Sequence, residues 1–283
     1  MAAAVLVAMP ARTDQVGAGG APVAVTPAPM TPAPVTPEAI PIGHGRTVRM
    51  ISRGGASSDA LLGRVAGELG AAVDAVDRFW GTDWGSTSGE RIEVVAAASD
   101  QQFVAEGRLD PQREWPDIAA VAVADDLDPV GRRASGQRIV LAPGAASMSD
   151  EALRIVLRHE LFHLAARADT APDAPRWLTE GVADFVARPP ESLPPGAAAT
   201  MAAAGLPTDA ALDAAAGPAR ALGYDRAWWF TRFVADVYGV DALRRLYLLA
   251  CGHGHADLPN AVREALGTDM NRLENRWAAW LTG

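Results

Sequence analysis

Pro143 divides this 283-residue chain into two stretches with different hydrophobic rhythms. Before it lie three short apolar runs, at 91–97 (RIEVVAA), 118–124 and 137–142 (QRIVLA). Each has the length and β-branched content of a strand, and Pro143-Gly144 ends the third. Beyond Pro143, apolar residues recur at helical spacing almost to the C-terminus. Strands first and helices after is the pattern of an α+β domain, here a small mixed sheet preceding a mainly helical body.

Two helices are expected among the strands. One is capped by Ser58 and runs to Trp80, with Leu61, Leu62, Val65, Leu69, Val73, Val76 and Phe79 on one face; the other covers 100–107. In the second part a helix starts at Asp150, capped by Ser149 or Ser147, with Asp150 and Glu151 in its first turn, where the helix dipole favours negative charge. Further helices are predicted at 176–188, 209–216, 224–238, 241–250, 260–266 and 269–281, with Gly239 and Gly267 as C-terminal caps.

The folded body is expected to begin near Arg46. Residues 17–45 are dominated by Pro, Ala, Gly, Val and Thr, a composition that builds neither ladder nor helix and reads as an extended spacer. Residues 1–16 open with the apolar run MAAAVLVAM, which lacks a basic flank and is too short to span a bilayer. It reads either as the tail of a signal or anchor whose start lies upstream, or as an alanine-rich tail without order. On the first reading the domain at 46–283 is extracytoplasmic, secreted or tethered to a membrane or cell wall.

Charge and composition remove several function classes. A net charge of −9 argues against a nucleic-acid partner, since a phosphate backbone must be met by clustered basic groups. All 25 basic residues other than histidine are arginine, so no lysine is present for a Schiff base or a phosphate-binding loop. The one cysteine, Cys251, excludes an intramolecular disulfide and a thiolate zinc cluster.

The chemistry concentrates after Asp150. His159 and His163 lie four residues apart in a helical stretch, so both imidazoles leave the same face, within reach of one ion. Glu160 is rotated about 100° from His159 and can stand beside a metal-bound water as its base without being a ligand. Two histidines leave a catalytic zinc site one protein ligand short. Glu180, at the start of a new helix after the Pro-containing loop 169–175, is placed to supply it. Asp184, one turn on, is expected to accept the Nδ1 proton of a ligand histidine and fix its tautomer.

The run RHELFHLAA, with WLTEGVADF placed so that sixteen residues separate His163 from Glu180, resembles the gluzincin metallopeptidases. It is most similar to the peptidase MA-like family, kin to thermolysin and the zinc aminopeptidases. The resemblance implies a zincin-like catalytic domain that binds Zn2+ through His159, His163 and Glu180, with Glu160 as general base and a peptide or protein as substrate. Asp184 matches the acidic residue four beyond the ligand glutamate. Tyr224, in GYDRAWWF, is similar to the family tyrosine that steadies the oxyanion of the tetrahedral intermediate. Two departures stand out. No Gly-x-Met-Glu-Asn segment precedes the zinc helix, so an amine-recognition glutamate has no counterpart, and Arg226 stands where relatives often carry Lys or Gln. Two other classes stay open, a zinc-binding module without turnover and a hydrolase of a non-peptide amide such as a cell-wall crosslink.

His253 and His255 sit two apart in a Gly-rich loop with no carboxylate cluster, and read as surface residues rather than a second metal site. His44, at the spacer boundary, has no evident chemical part. The tryptophans at helical positions read mainly as packing residues. The apolar run 118–124 is expected at a free sheet edge, where a peptide could add as a further strand.

Overall fold

The change of rhythm at Pro143 is a change of architecture. The computed structural model describes residues 3–6, 39–84, 91–112, 115, 118–191, 196, 201, 205–214 and 217–282. Ahead of Pro143 the described strands are β1 (Ala3–Leu6), β2 (Ala39–Pro41), β3 (Thr47–Ser52), β4 (Arg91–Ala96), β5 (Ile118–Val123), β6 (Asp126–Asp128), β7 (Arg133–Ser135) and β8 (Arg138–Leu141). Helices α1 (Ala56–Trp80) and α2 (Asp100–Glu106) lie between them. After Pro143 the described elements are helical, a 3-10 turn at Pro143–Ser147 leading into α3 (Asp150–Ala166), α4 (Arg176–Ala187), α5 (Asp209–Leu212), α6 (Pro218–Tyr238), α7 (Val240–Cys251), α8 (Leu258–Leu266) and α9 (Met270–Thr282). The fold is α+β, as the order of patterns predicts.

The main sheet is mixed, with strand order β1-β5-β8-β4-β3-β2. Strands β3, β4 and β8 run parallel, β5 lies antiparallel to β8, and β2 and β1 lie antiparallel on the two flanks. Strands β6 and β7 form a separate hairpin just beyond β5. All six residues of β5 are buried, which explains why it reads as a continuous apolar run rather than an alternating one.

Several expectations need correction. Strand β5 is not a free edge, because Ala3–Leu6 pairs along its outer side. The spacer does not extend to residue 45, since Ala39–Pro41 already pairs with β3. The rest of the predicted spacer and apolar start, 1–2 and 7–38, lies outside the described residues. Helix α1 begins at Ala56 after Gly55, whose φ of 83° favours glycine; Ser58 is inside the helix and buried, not its cap. Helix α6 begins at Pro218 rather than Tyr224, with proline in the first turn, where its missing N–H costs no hydrogen bond. The helix predicted at 209–216 ends at Leu212, with Asp213 as its C-cap, and residues 215–216 lie outside the described residues.

Helix α3 is the axis of the molecule. Ser149 caps it, its Oγ accepting the N–H of Ala152 at 3.2 Å. From Leu161 to Ala166 every residue is buried, because α1, α4 and the sheet enclose the helix from three sides. Arg154 fastens α3 to α1, donating from Nε and Nη2 to Glu68 at 2.8 and 3.0 Å. Phe162 meets Phe79, Trp80 and Tyr247 edge-on, with ring centroids 5.6–5.9 Å apart. Burying such side chains contributes on the order of 1.5–3 kcal/mol each, which holds the helix in a single register.

Helix α4 then crosses beside α3. Pro175 at its N-cap offers no side-chain acceptor, and Asp209 of α5 supplies one, accepting the Trp177 N–H at 2.8 Å. Helix α6 packs on the other side of α4. No helix among the described residues is long and apolar enough to cross a membrane.

Candidate metal centre

Two features of α3 and α4 decide where their polar side chains meet. On α3 the four-residue spacing stacks His159 above His163 on the face turned to α4. On α4, Glu180 and Asp184 are likewise one turn apart on the face turned back. The ligand-type atoms of His159, His163 and Glu180 all lie within 4.8 Å of one another, and all three residues are buried. Nε2 of His159 is 3.2 Å from Glu180 Oε2 and 3.0 Å from Nε2 of His163, while His163 Nε2 is 3.7 Å from the same carboxylate oxygen. This group can bind a metal ion.

Asp184 stands where the sequence places it. Its Oδ1 is 2.9 Å from Nδ1 of His159 and accepts that nitrogen's proton, which leaves Nε2 to point at the cluster. Its Oδ2 meets Arg188 Nη2 at 3.3 Å, and Arg188 also reaches Asp225 Oδ1 at 3.1 Å and lies over the ring of Trp228 at 4.5 Å. Asp184 therefore both orients the histidine and pairs with an arginine.

The titration of these groups follows from burial and neighbours. Burial works against charge on His159, but the hydrogen bonds to Asp184 and Glu180 outweigh it and raise its pKa well above the usual histidine value. Burial lowers the pKa of His163, which stays a neutral donor. Glu180 is held ionised despite its burial by the two imidazoles beside it.

Glu160 has the opposite surroundings. Its side chain is buried, and neither carboxylate oxygen has a hydrogen-bond partner of good geometry. Burial raises its pKa to about 8 and the charge of Glu180 adds to this, while the charges of His159 and Arg167 and the main chain of Ala122 in β5 oppose it without cancelling it. A buried carboxylate without partners is costly in any fold, on the order of several kcal/mol if charged. Glu160 lies beside the three ligand-type residues His159, His163 and Glu180. Two imidazole nitrogens and one carboxylate oxygen make a donor set that fits a divalent metal ion, with Glu160 beside it.

Tyr224 is buried in the first part of α6, and after burial the charge of Glu180 does most to raise its pKa. Its phenol therefore stays protonated, a hydrogen-bond donor within electrostatic reach of the cluster. Arg226 donates through Nη2 to the main-chain oxygens of Gly205 and Leu206, both at 2.7 Å, and so fastens the loop ahead of α5. The remaining histidines lie elsewhere. His253 meets the Ala168 carbonyl at 3.1 Å, His255 faces Asp173 at 3.5 Å and His44 faces Asp77 at 3.5 Å. Among the described residues they form no second metal-ligating group.

Four contributors escape the sequence reading. Gly181 lies where α6 crosses α4; a Cβ there would come within 2.6 Å of the Ala227 carbonyl oxygen. Thr231 donates to the Gly181 carbonyl at 2.9 Å across the same crossing. An isolated glycine inside a helical pattern signals close approach, so this one was legible. Arg188 and Arg167 carried no such signal, since neither belongs to a spaced motif. Arg167, just past α3, donates from Nη2 to Ala122 O at 2.8 Å and ties the end of the helix to β5.

Neither a known protein family nor a curated protein matches the chain.

Proposed function

We propose that this chain is a zinc-dependent metallopeptidase, with His159, His163 and Glu180 holding the metal and Glu160 as general base. The observation that carries the reading is the buried carboxylate of Glu160, without a hydrogen bond of good geometry, next to His159 of a ligand-type His/His/Glu group. A zinc ion held there would polarise the scissile carbonyl and lower the pKa of water in the site to about 7. The rest falls to the chain's own side chains. Glu160 takes a proton from the attacking water and returns it to the leaving amine nitrogen. Asp184 keeps the His159 ring in one tautomer and one orientation throughout. The protonated Tyr224 phenol donates a hydrogen bond to the carbonyl oxygen as negative charge develops on it.

The test is zinc analysis of the purified protein together with a broad peptide-cleavage screen on the wild type and Glu160→Gln. The substituted protein keeps one zinc per chain and loses cleavage by about 10²- to 10⁴-fold. Stoichiometric zinc with no cleavage of any peptide by the wild type would leave a binding module or a hydrolase of another amide in its place.

A further inference from the structure

The outer side of β5 meets Arg167 and Glu160, and Ala3–Leu6 pairs along it. The Ala142 N–H donates to the Ala119 carbonyl at 2.8 Å, so Ala119 turns its main chain toward β8. Main-chain groups alternate along an antiparallel strand, so Ile118, Ala120 and Ala122 turn theirs outward. The Arg167 hydrogen bond to the Ala122 carbonyl lies on this outward side, as does the contact of Ala122 with Glu160. Along this line Ala3 pairs with Ala122, Ala4 with Val121 and Leu6 with Ile118, antiparallel, with one shift of register between Ala4 and Leu6. The segment Ala3-Ala4-Val5-Leu6 thus lies extended beside the candidate general base, in the position an added peptide strand would occupy. Its connection allows this. About 33 peptide units join Leu6 to β2 on the opposite flank, a reach of roughly 110 Å, against about 24 Å across five strand spacings.

We propose that Ala3–Leu6 is an intramolecular occupant of a peptide-accepting edge, and that it closes β5 to an extended peptide until it is displaced. Because the occupant is tethered, it competes at an effective concentration that a free peptide of similar sequence must match. The consequence for turnover rests on the metallopeptidase reading; the occupation of the edge does not.

The test compares the full-length wild type with the double substitution Ala4→Pro/Val5→Pro. Adjacent residues of a strand present their N–H groups to opposite sides, so the pair removes one ladder donor whichever residue faces β5. The probe is an acetylated, fluorescently labelled peptide with the sequence of residues 2–8, followed by anisotropy. The substituted protein binds it at least tenfold more tightly than the wild type. In parallel, hydrogen exchange at the Ala120 amide quickens in the substituted protein and slows again with added peptide, while Ile139 in β8 stays unchanged. Equal peptide affinity in the two proteins, or unaltered exchange at Ala120, overturns the proposal. Absent cleavage with a tenfold difference in binding removes the peptidase reading alone. Cleavage abolished by Glu160→Gln with equal binding removes the self-occupation alone.

Discussion

On its α4 side, helix α3 presents His159, whose two ring nitrogens both have partners, Asp184 at Nδ1 and Glu180 at Nε2. One residue further, toward β5, Glu160 has no hydrogen bond of good geometry. Both side chains are buried, so the difference is in polar satisfaction rather than solvent access. The α4 wall is over-determined, with Asp184 itself held by Arg188 and Arg188 by Asp225 and Trp228. The β5 wall leaves a titratable acid near neutrality. The groups that could hold a metal are surrounded by partners, and the residue proposed as general base is not.

That contrast breaks most sharply at His159. His159→Ala removes a ligand and leaves Asp184 and Glu180 facing a void, so bound zinc falls from one per chain to near zero by elemental analysis. Retention of a full equivalent would show that the metal sits elsewhere. Asp184→Asn is a finer probe, because its amide oxygen can still accept from Nδ1 while the charge is lost. Loss of such a partner costs about 10- to 100-fold in metal affinity. Competition with a chelator of known affinity reads it, and an unchanged value would separate Asp184 from the site.

The third test uses protons. His159 without metal keeps its proton above the ordinary histidine range, which is near 6.5. A metal must displace that proton, so affinity rises with pH, by up to about tenfold per unit for one proton, and continues to rise above pH 7. An ordinary histidine ligand would level off near neutrality. In Asp184→Asn the rise levels off at lower pH, since one of the groups that stabilises the proton has gone. A flat profile from pH 6 to 8 in the wild type would contradict the hydrogen-bonded, protonated His159.

The metal centre was legible because its geometry is largely local. The spacing of His159 and His163 fixes their common face whatever the tertiary fold, and Glu180 and Asp184 repeat the relation one helix later. What the spacing does not contain is the crossing of α3 and α4, which depends on Pro175, Asp209 and the packing of α6. The sheet was legible in part. Strands β4, β5 and β8 are apolar enough to stand out, whereas β3 (TVRMIS) mixes charge with apolar residues because it lies near the exposed flank. The pairing of β1 with β5 joins residues more than a hundred positions apart, and no local pattern reports it. For the same reason Arg188 was invisible: its significance is a meeting with Asp184, Asp225 and Trp228 that only the assembled helices create.

The smallest effect expected is at the crossing that sets the over-determined wall. Gly181→Ala adds one methyl group where the main chain of Ala227 lies 2.6 Å away, and a backbone atom cannot rotate aside as a side chain would. Helices α4 and α6 must separate slightly, which costs about 1–3 kcal/mol. In a chain of this size that lowers the melting temperature by only several degrees. Because the neighbouring Glu180 moves with α4, zinc affinity falls as well, whereas the pKa of Glu160 on the opposite wall should hardly change. If α4 moves as a rigid helix, Asp184 shifts together with Glu180, and the pH profile of metal binding keeps its shape while affinity drops. A melting temperature equal to that of the wild type would mean the crossing has room for a methyl, and that Gly181 does not set the approach of α6 to the metal-binding wall.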